Sequence, residues 1–494
     1  MGGWRKWGKG KGMGKWRKAL LFQAFELLEN PKLLSLFLLP PLQSFPSLNP
    51  FPLTQFLAMK KILFLICFFP VIAHSQQRLS LRECVELLTK NNLTYRQGNL
   101  QAESAQAQLR QVRSQILPQI YISSNNSINI GRSIDQYTNT YIDQVYNYSS
   151  VGAGMQVPVF QGFKLQNQIR QNVLLKESAL ENRTAVLNTQ TILLMQGYVN
   201  VLATKALYEA ARQQVESSEV QVNRVDKQVN AGVLGTNTLY EIKAQLSNDK
   251  FDQVTALNNY RTARLALFQR INIPADDSLD LEALSPVENV QEIPSASALY
   301  EQAHNTFPEA KSAELYYKSF AYQVKSIKAL NYPSLILGAN IGAFFASTNK
   351  SLDYFNQLNS TRNGSMNLGL NIPIMGRWVT RPRVELAKVQ ERLAQNQQDV
   401  TQQLLRQSIE QAVLDMRATE DRFSAAQGQV ESLTASFAVV ESKLNAGTAN
   451  IFEYSLAKAN LAKAQANAIQ AKYQFLMQQR LLQYYRQGNW EGVF

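Results

Sequence analysis

Few side chains of this 494-residue chain could perform acid–base, nucleophilic or metal chemistry, and they lie far apart. There are two histidines, His74 and His304, and two cysteines, Cys67 and Cys84. A site built from several histidine ligands is therefore excluded, and His304 remains as a weak candidate for a general base. No cysteine or paired acid stands beside it, so we interpret His304 as structural. The carboxylates are dispersed through amphipathic segments, which disfavours an enzyme.

The first 75 residues indicate an export signal preceded by an extension. Met59-Lys60-Lys61 opens the apolar run 62–69, and small residues follow at 73–75. This order is typical of a secretory signal peptide, which we predict at 59–75. Residues 1–58 are rich in Trp, Gly, Lys and Pro. We interpret them as a mis-assigned translation start, and a disordered basic extension is the alternative.

The basic charge of the chain comes mostly from these leading residues. Residues 1–58 carry eight Lys and Arg against two Asp and Glu, and Lys60-Lys61 adds two more positive charges. Residues 76–494 therefore carry only +5 of the formal +13. Binding to nucleic acid would need a cluster of basic residues, and none remains there. Cys84 is then the only cysteine after the signal, so we expect no intrachain disulfide.

The chain after the signal repeats itself with an offset of 215 residues. Three landmarks return at this offset, namely Pro118 as Pro333, Pro158 as Pro373, and Asn230-Ala231-Gly232 as Asn445-Ala446-Gly447. A fixed offset of this kind indicates a tandem duplication. We predict repeats at 76–275 and 298–487, joined by a linker at 276–297 and followed by a tail at 488–494.

Each repeat contains two stretches in which apolar residues alternate with polar or small ones. They lie at about 118–133 and 149–160 in the first repeat, and at about 334–346 and 364–375 in the second. An alternation over about ten residues predicts strands with one face toward lipid and the other toward water. Two hairpins packed on a soluble core are the alternative.

A long helical segment follows the second strand of each repeat, at about 162–230, where no proline occurs, and, in phase, at about 377–445. In the first repeat nine successive heptad positions are apolar, which indicates a coiled coil: Val173, Leu180, Leu187, Leu194, Val201, Tyr208, Val215, Val222 and Val229. Such a helix is roughly 100 Å long at about 1.5 Å per residue. Each segment ends at Asn-Ala-Gly, where glycine can terminate a helix, and a second helix follows. The pattern predicts an antiparallel hairpin with a free tip.

Four strands in one subunit are too few to close a barrel, and open strand edges cannot lie in lipid. Three subunits supply twelve strands, which leave room for a wet interior. The predicted fold is therefore that of an α+β membrane protein. It is a trimeric 12-stranded β-barrel, with four strands per subunit, continued by a long antiparallel α-helical coiled-coil tunnel.

Several short motifs resemble those of TolC-like outer-membrane efflux proteins, the outer membrane factors, and their order and duplication make the resemblance specific over residues 79–487. They are Val157-Pro158-Val159-Phe160-Gln161-Gly162, Ile372-Pro373-Ile374-Met375-Gly376, the two Asn-Ala-Gly tips, and Leu79-Ser80-Leu81-Arg82-Glu83-Cys84-Val85 with Asn91-Asn92. The resemblance implies a homotrimeric channel in the Gram-negative outer membrane. It also implies a tripartite efflux or type I secretion system, with a periplasmic adaptor (membrane fusion protein) and an inner-membrane pump of the RND or ABC type.

The resemblance also implies two sets of functional residues. The tips are candidate adaptor contacts, although their glycines would be needed for helix termination alone: Gly232, Val233, Leu234, Gly235, Gly447, Thr448 and Ala449. Glu453 stands where the family commonly places an acid at the entrance, and threefold symmetry would make it a ring favouring cations. The equivalent position in the first repeat is Thr238, a departure, so Glu241 is the second gate candidate. The alternative is that both acids are solvated residues at helix starts.

The resemblance implies that the pump supplies the energy, and in keeping with this the sequence has no glycine-rich phosphate loop followed by Lys-Ser or Lys-Thr. We expect no catalytic, metal or cofactor site. A soluble periplasmic coiled-coil adaptor or scaffold is the alternative function. The alternating strands disfavour it, because adaptors carry one helical hairpin amid sheet-rich domains and not two matched copies.

Overall fold

A computed structural model describes residues 78–494 except 136, 275–278, 286–292, 447, 449, 491–492 and 494. These residues all belong to one unit, His74–Phe494. The predicted extension at 1–58 and signal peptide at 59–75 lie outside the described residues, as do Gly447 and Ala449 of the second predicted tip. No helix among the described residues is long and apolar enough to cross a membrane.

The described residues form nine α-helices, and these occur in two matched series along the chain. In chain order they are α1 (Leu81–Asn91), α2 (Leu93–Ser114), α3 (Lys164–Asn230), α4 (Thr236–Ile271), α5 (Ala296–His304), α6 (Pro308–Lys328), α7 (Tyr354–Ser360), α8 (Arg377–Asn445) and α9 (Ile451–Gln487). The starts of α1, α2, α3 and α4 recur 215 residues later, or within two residues of that offset, as those of α5, α6, α8 and α9. Helix α7 has no counterpart among the described residues of the first repeat.

The same residues form eight strands. They are β1 (Arg78–Leu79), β2 (Gln119–Asn129), β3 (Arg132–Ile134), β4 (Tyr141–Asp143), β5 (Tyr146–Gln161), β6 (Asp280–Leu281), β7 (Ser334–Ala346) and β8 (Asn363–Asn371). Four of them make an antiparallel sheet in the order β2-β5-β7-β8. Because β2 pairs only with β5 and β8 only with β7, both outer edges of this sheet are open among the described residues.

The register of the sheet separates apolar from polar side chains. Directly paired residues share a face, and one face is apolar: Ile120, Ile122, Val151, Ala153, Met155, Val157, Leu337, Ala339, Ile341, Ala343, Met366 and Leu368. The opposite face carries mostly Gly, Asn, Ser and Tyr. It is crowded, since Tyr121 Oη donates to Asn340 Oδ1 at 3.4 Å across Gly154, where a Cβ atom would collide with both side chains. The apolar face is exposed, with Ile122 at 81% and Met366 at 73% of full exposure.

Strand β8 ends at Asn371, before the limit of about 375 expected from the alternation. Pro373 follows it, and proline has no N–H to donate to a ladder. The equivalent Pro158 remains inside β5 only because the pairing with β7 shifts between Pro158 and Phe160. The connections expected as plain loops and linker also contain short elements, namely β3, β4, β6 and α7.

The two long helices, α3 and α8, span 67 and 69 residues and begin directly after the sheet. At the first junction Gly162 has φ +60°, and a Cβ atom there would lie 2.7 Å from the Ala329 carbonyl oxygen. Glycine is therefore required for the chain to turn from β5 into α3. Leu194, Val201 and Val215 of the heptad series are buried, whereas Leu180 is 36% exposed.

The helices are arranged side by side beneath the sheet. In the half nearest the sheet the contacting neighbours are α2-α3-α6-α8, and toward the tips they are α4-α3-α9-α8. We call α3 with α4 the first hairpin, and α8 with α9 the second hairpin. Helices α2 and α4 thus lie on the β2 side of the chain, and α8 lies on the β8 side.

The main core lies where the short helices pack on the long ones. Its two clusters centre on Tyr198 and Phe268 in one case, and on Ile409 and Tyr484 in the other. The buried Tyr198 hydroxyl is 3.0 Å from the Leu79 carbonyl oxygen and 2.7 Å from that of Glu282. It thereby holds together the parallel pair β1 and β6, which are far apart in sequence.

Candidate functional site

The tip of the first hairpin is a short turn closed by backbone hydrogen bonds. Gly232 has φ +76°, the Gly232 N–H donates to Val229 O at 2.9 Å, and the Val233 N–H donates to Gln228 O at 2.9 Å. This arrangement satisfies the last carbonyls of α3. Val233 is 70% exposed and both glycines of the turn are exposed, whereas Leu234 packs inward. The turn therefore presents one apolar side chain and open backbone to solvent.

The tip of the second hairpin uses different hydrogen bonds. The Thr448 N–H donates to Lys443 O at 2.9 Å, and the Thr448 hydroxyl donates to the same oxygen at 3.1 Å. The Asn450 side chain caps α9 by accepting from the Glu453 N–H at 2.8 Å. Thr448 is exposed. Of the second predicted contact set, Thr448 alone lies within the described residues.

The two hairpins meet near their tips through an apolar cluster, which we call the tip joint. Val225 and Ile242 of the first hairpin and Tyr454 of the second are buried there. Burial raises the pKa of Tyr454 to about 12. A hydrogen bond from Arg224 Nη1 to Asn445 Oδ1, 2.7 Å long, crosses between the hairpins beside this cluster.

Next to the tip joint lies a buried charged group that joins three helices, and we call it the buried trio. It consists of Ser218 on α3, Asp249 on α4 and Lys458 on α9. Lys458 Nζ donates to Ser218 Oγ at 2.5 Å and lies 3.7 Å from Asp249 Oδ2. The Ser218 hydroxyl donates to the same carboxylate, and Gln245 Nε2 donates to Asp249 Oδ1 at 2.9 Å.

The trio is closed to water, since the Lys458 and Asp249 side chains are only 4% and 6% exposed. Burial lowers the pKa of the Lys458 ammonium, and the nearby Asp249 carboxylate opposes that shift. Removing one partner of such a pair leaves a buried charge uncompensated, which is strongly destabilising. The trio therefore holds the second hairpin against the first.

The sequence did not predict the trio. Lys458 recurs as Lys243 in the first repeat, but the positions equivalent to Ser218 and Asp249 are Leu433 and Ala464. The available signal was Asp249, a charged residue of the first repeat that is replaced by Ala464 in the second. It could not be interpreted without knowing which helices are neighbours.

Both gate candidates are exposed near the tips and flank the tip joint. Glu241 immediately precedes Ile242, and Glu453 immediately precedes Tyr454. Asn237 Nδ2 lies 3.4 Å from Glu241 Oε1, one turn away on α4. The Glu453 backbone N–H is capped, but its carboxylate has no hydrogen bond or ion pair with the described residues. Two solvated acids thus stand at the free end of the hairpins, one on each.

The residues considered for catalysis lie elsewhere. His304 is half-buried, and its Nδ1 is 3.5 Å from the Tyr300 hydroxyl. Cys84 is fully buried, and burial raises the pKa of its thiol to about 12, so it remains a neutral core residue. In the described ranges no three His, Cys, Asp or Glu side chains are grouped so that they could hold a metal ion.

The family of the chain follows from comparison with known proteins. Residues 84–272 and 299–485 match the family described as outer membrane efflux protein. The chain belongs to that family. Each matched segment lies within one of the two predicted repeats, and the resemblance inferred from the motifs is confirmed. The protein is thus an outer-membrane efflux channel of the Gram-negative type and not an enzyme.

Individual relatives are distant in sequence but similar in length and fold. The outer membrane protein TolC of Salmonella enteritidis is 21% identical over 436 residues, which cover 86% of each chain. The Campylobacter jejuni CmeC outer membrane channel superposes with a TM-score of 0.73 at 18% identity, over 84% of this chain and 86% of that one. The open state of the Neisseria gonorrhoeae MtrE outer membrane channel superposes with a TM-score of 0.68 at 18% identity, over 82% of this chain and 88% of that one. The channel therefore shares its fold with them.

Proposed function

We propose that three copies of this channel assemble into a passive export duct across the outer membrane and the periplasm. The twelve strands would close a barrel in the membrane, and the helical hairpins would form the tunnel beneath it. The observation that carries the proposal is the four-stranded sheet with two open edges and an exposed apolar face. Such edges need partners in lipid, and a β2 edge can pair with the β8 edge of the next copy.

The tips are the proposed docking site for a periplasmic adaptor, which connects the duct to an inner-membrane pump of the RND or ABC type. The system is then a tripartite efflux or type I secretion system. Two features support this role. The tips are the free ends of the hairpins, and Val233 is exposed there together with Gly232, Gly235 and Thr448. Leu234 supports the turn from within, so we assign it a positioning role. We retain Gly447 and Ala449 as proposed contacts because they flank Thr448 in the sequence.

Glu453 and Glu241 are the proposed gate residues. In a trimer each would form a ring of three carboxylates near the entrance, and such rings favour cations. Their exposure, and the absence of an ion pair to the Glu453 carboxylate in the described part of the chain, support this role.

The proposal is tested with the purified protein in planar bilayers. We expect a detergent-stable trimer that conducts ions, with lower cation selectivity in Glu453→Ala and a smaller loss in Glu241→Ala. Glu86→Ala removes an exposed acid on α1, outside the hairpins, and should match the wild type. A soluble single-chain protein without conductance would overturn the duct and favour the soluble adaptor. Unchanged selectivity in both gate variants would overturn the gate alone.

A further inference from the structure

The short helix α7 lies at the end of the sheet that is distant from the long helices, where it replaces a missing strand. Beyond the last β7–β8 pair, Gly342 with Asn363, strand β7 continues without β8 beside it. The Gln357 side chain accepts from the Ala346 N–H at 3.1 Å. The Thr361 hydroxyl lies 2.9 Å from Phe344 N and 2.7 Å from Phe344 O. These side chains satisfy the exposed edge of β7 and fix α7 in place.

Helix α7 also overhangs the apolar face of the sheet. The Tyr354 ring packs 4.9 Å from the Phe345 ring, and Phe345 points to the same face as Val151 and Ile341. A groove of about 800 Å³ remains between Leu358 of α7 and this face. Its floor is flat, because Ala153, Ala343 and Gly364 stand between the larger side chains.

One cation borders this apolar groove. Arg362 is exposed and its Nε donates to Asn359 O at 2.9 Å, which fixes the side chain at the rim. No acid among the described residues forms an ion pair with it, so its terminal nitrogens face solvent. A guanidinium with free terminal nitrogens suits a phosphate group. Phe355 of α7, 77% exposed, adds an aromatic side chain of the kind that lies at the membrane–water interface.

We propose that this groove binds a phosphorylated glycolipid of the outer leaflet, with the chemistry of lipopolysaccharide. One acyl chain occupies the groove and a phosphate contacts Arg362. The inference rests on the proposed function, which places the apolar face in the membrane and the α7 end outward. The groove is continuous with that face, so an acyl chain enters it without leaving the apolar environment. Asn359 at the rim offers amide groups to a sugar.

The test measures lipid bound to the intact trimer by native mass spectrometry, with lipopolysaccharide or phosphatidylglycerol added to the detergent solution. Arg362→Gln removes the charge, and we expect glycolipid binding to weaken about tenfold. Ala343→Phe fills the groove without changing charge, and we expect a similar loss. Arg132→Gln is the matched control, because Arg132 is an exposed arginine in the β3–β4 hairpin at the same end of the sheet. It should bind glycolipid as the wild type does.

Conductance in planar bilayers separates the two proposals. Variants that lose glycolipid but conduct as the wild type does support the groove. Variants that conduct and still bind glycolipid as the wild type does overturn the proposed groove. Equal binding of phosphatidylglycerol and lipopolysaccharide to the wild type overturns it as well. A wild-type protein that neither trimerises nor conducts overturns the proposed function itself.

Discussion

Lys243 and Lys458 occupy equivalent positions in the two hairpins, yet their surroundings are opposite. Lys458 is buried between Ser218 and Asp249, whereas Lys243 is exposed. The difference arises from the place of each helix in the array. Helix α9 lies between α8 and α3, so the neighbouring hairpin covers it, but α4 lies at the edge of the chain. Duplication thus gave one residue two environments.

This difference bears on how the proposed trimer opens. Around the ring, α4 of one subunit would meet the α8–α9 hairpin of the partner subunit, as α9 meets the first hairpin within the chain. Lys243 would then face the equivalents of Ser218 and Asp249, which are Leu433 and Ala464. In this contact between subunits, Ala457 would occupy the place that Ile242 has in the tip joint, and Leu239 would occupy the place of Tyr454. The contact between subunits would therefore lack the ion pair and the tyrosine, and we expect the hairpins to separate there first.

The largest effect is expected when the trio is broken. Asp249→Ala leaves the Lys458 ammonium buried without its carboxylate, which costs roughly 3–5 kcal/mol. Hydrogen–deuterium exchange of the trimer should show faster exchange along the first turns of α9, and conductance should rise. Lys243→Ala is the matched control, and it should change neither.

A rescue variant distinguishes loss of the pair from general damage. Asp249→Leu combined with Lys458→Met replaces the ion pair by apolar side chains, and such replacements are often neutral. Slow exchange should return in this variant. Wild-type exchange in Asp249→Ala would contradict the holding role of the trio.

An intermediate effect is expected when the pair is copied into the subunit boundary. Leu433→Ser with Ala464→Asp gives Lys243 of the adjacent subunit the same partners that Lys458 has. We expect the open probability in planar bilayers to fall about fivefold, which corresponds to about 1 kcal/mol. Leu433→Ser with Ala464→Asn has the same shape without the charge. Equal behaviour of the two variants would show that these positions do not face Lys243.

The smallest effect concerns another pair of equivalent positions, Thr94 in the first repeat and Glu309 in the second. Glu309 Oε2 has no hydrogen-bond partner in the described part of the chain, and burial raises the pKa of this carboxyl above its usual value. The folded state therefore prefers the protonated form. The contribution of the Glu309 carboxyl to stability is complete below the usual pKa of 4.5 and is lost as the pH rises through the raised pKa.

The side chain that Glu309→Gln introduces is uncharged at every pH, so this variant should not lose stability as the pH rises. We expect its unfolding temperature to match the wild type near about pH 4 and to exceed it by a few degrees near about pH 8. Thermal unfolding of the trimer followed by circular dichroism measures the difference. A constant offset at both pH values would mean that Glu309 does not titrate in this range.

Much of the local structure could be predicted from the sequence because it depends on periodicity. Val201 and Val215 indicate the buried side of α3, and the alternation through Val151 and Met155 indicates one face of β5. The tip glycine Gly232 indicates where α3 ends. In contrast, nothing near Arg362 indicated that α7 would fold over the apolar face, because the groove needs residues from β5, β7 and β8 together.

The sequence by itself determined the duplication, the lengths of the long helices and the two faces of the sheet, since each follows from spacing along one segment. Only the tertiary structure decided the strand order β2-β5-β7-β8, the pairing of β1 with β6 and the assembly of Ser218, Asp249 and Lys458. These depend on contacts between segments far apart in the chain. Two equivalent lysines differ for that reason, because burial is set by the neighbouring helices and not by the repeated residue.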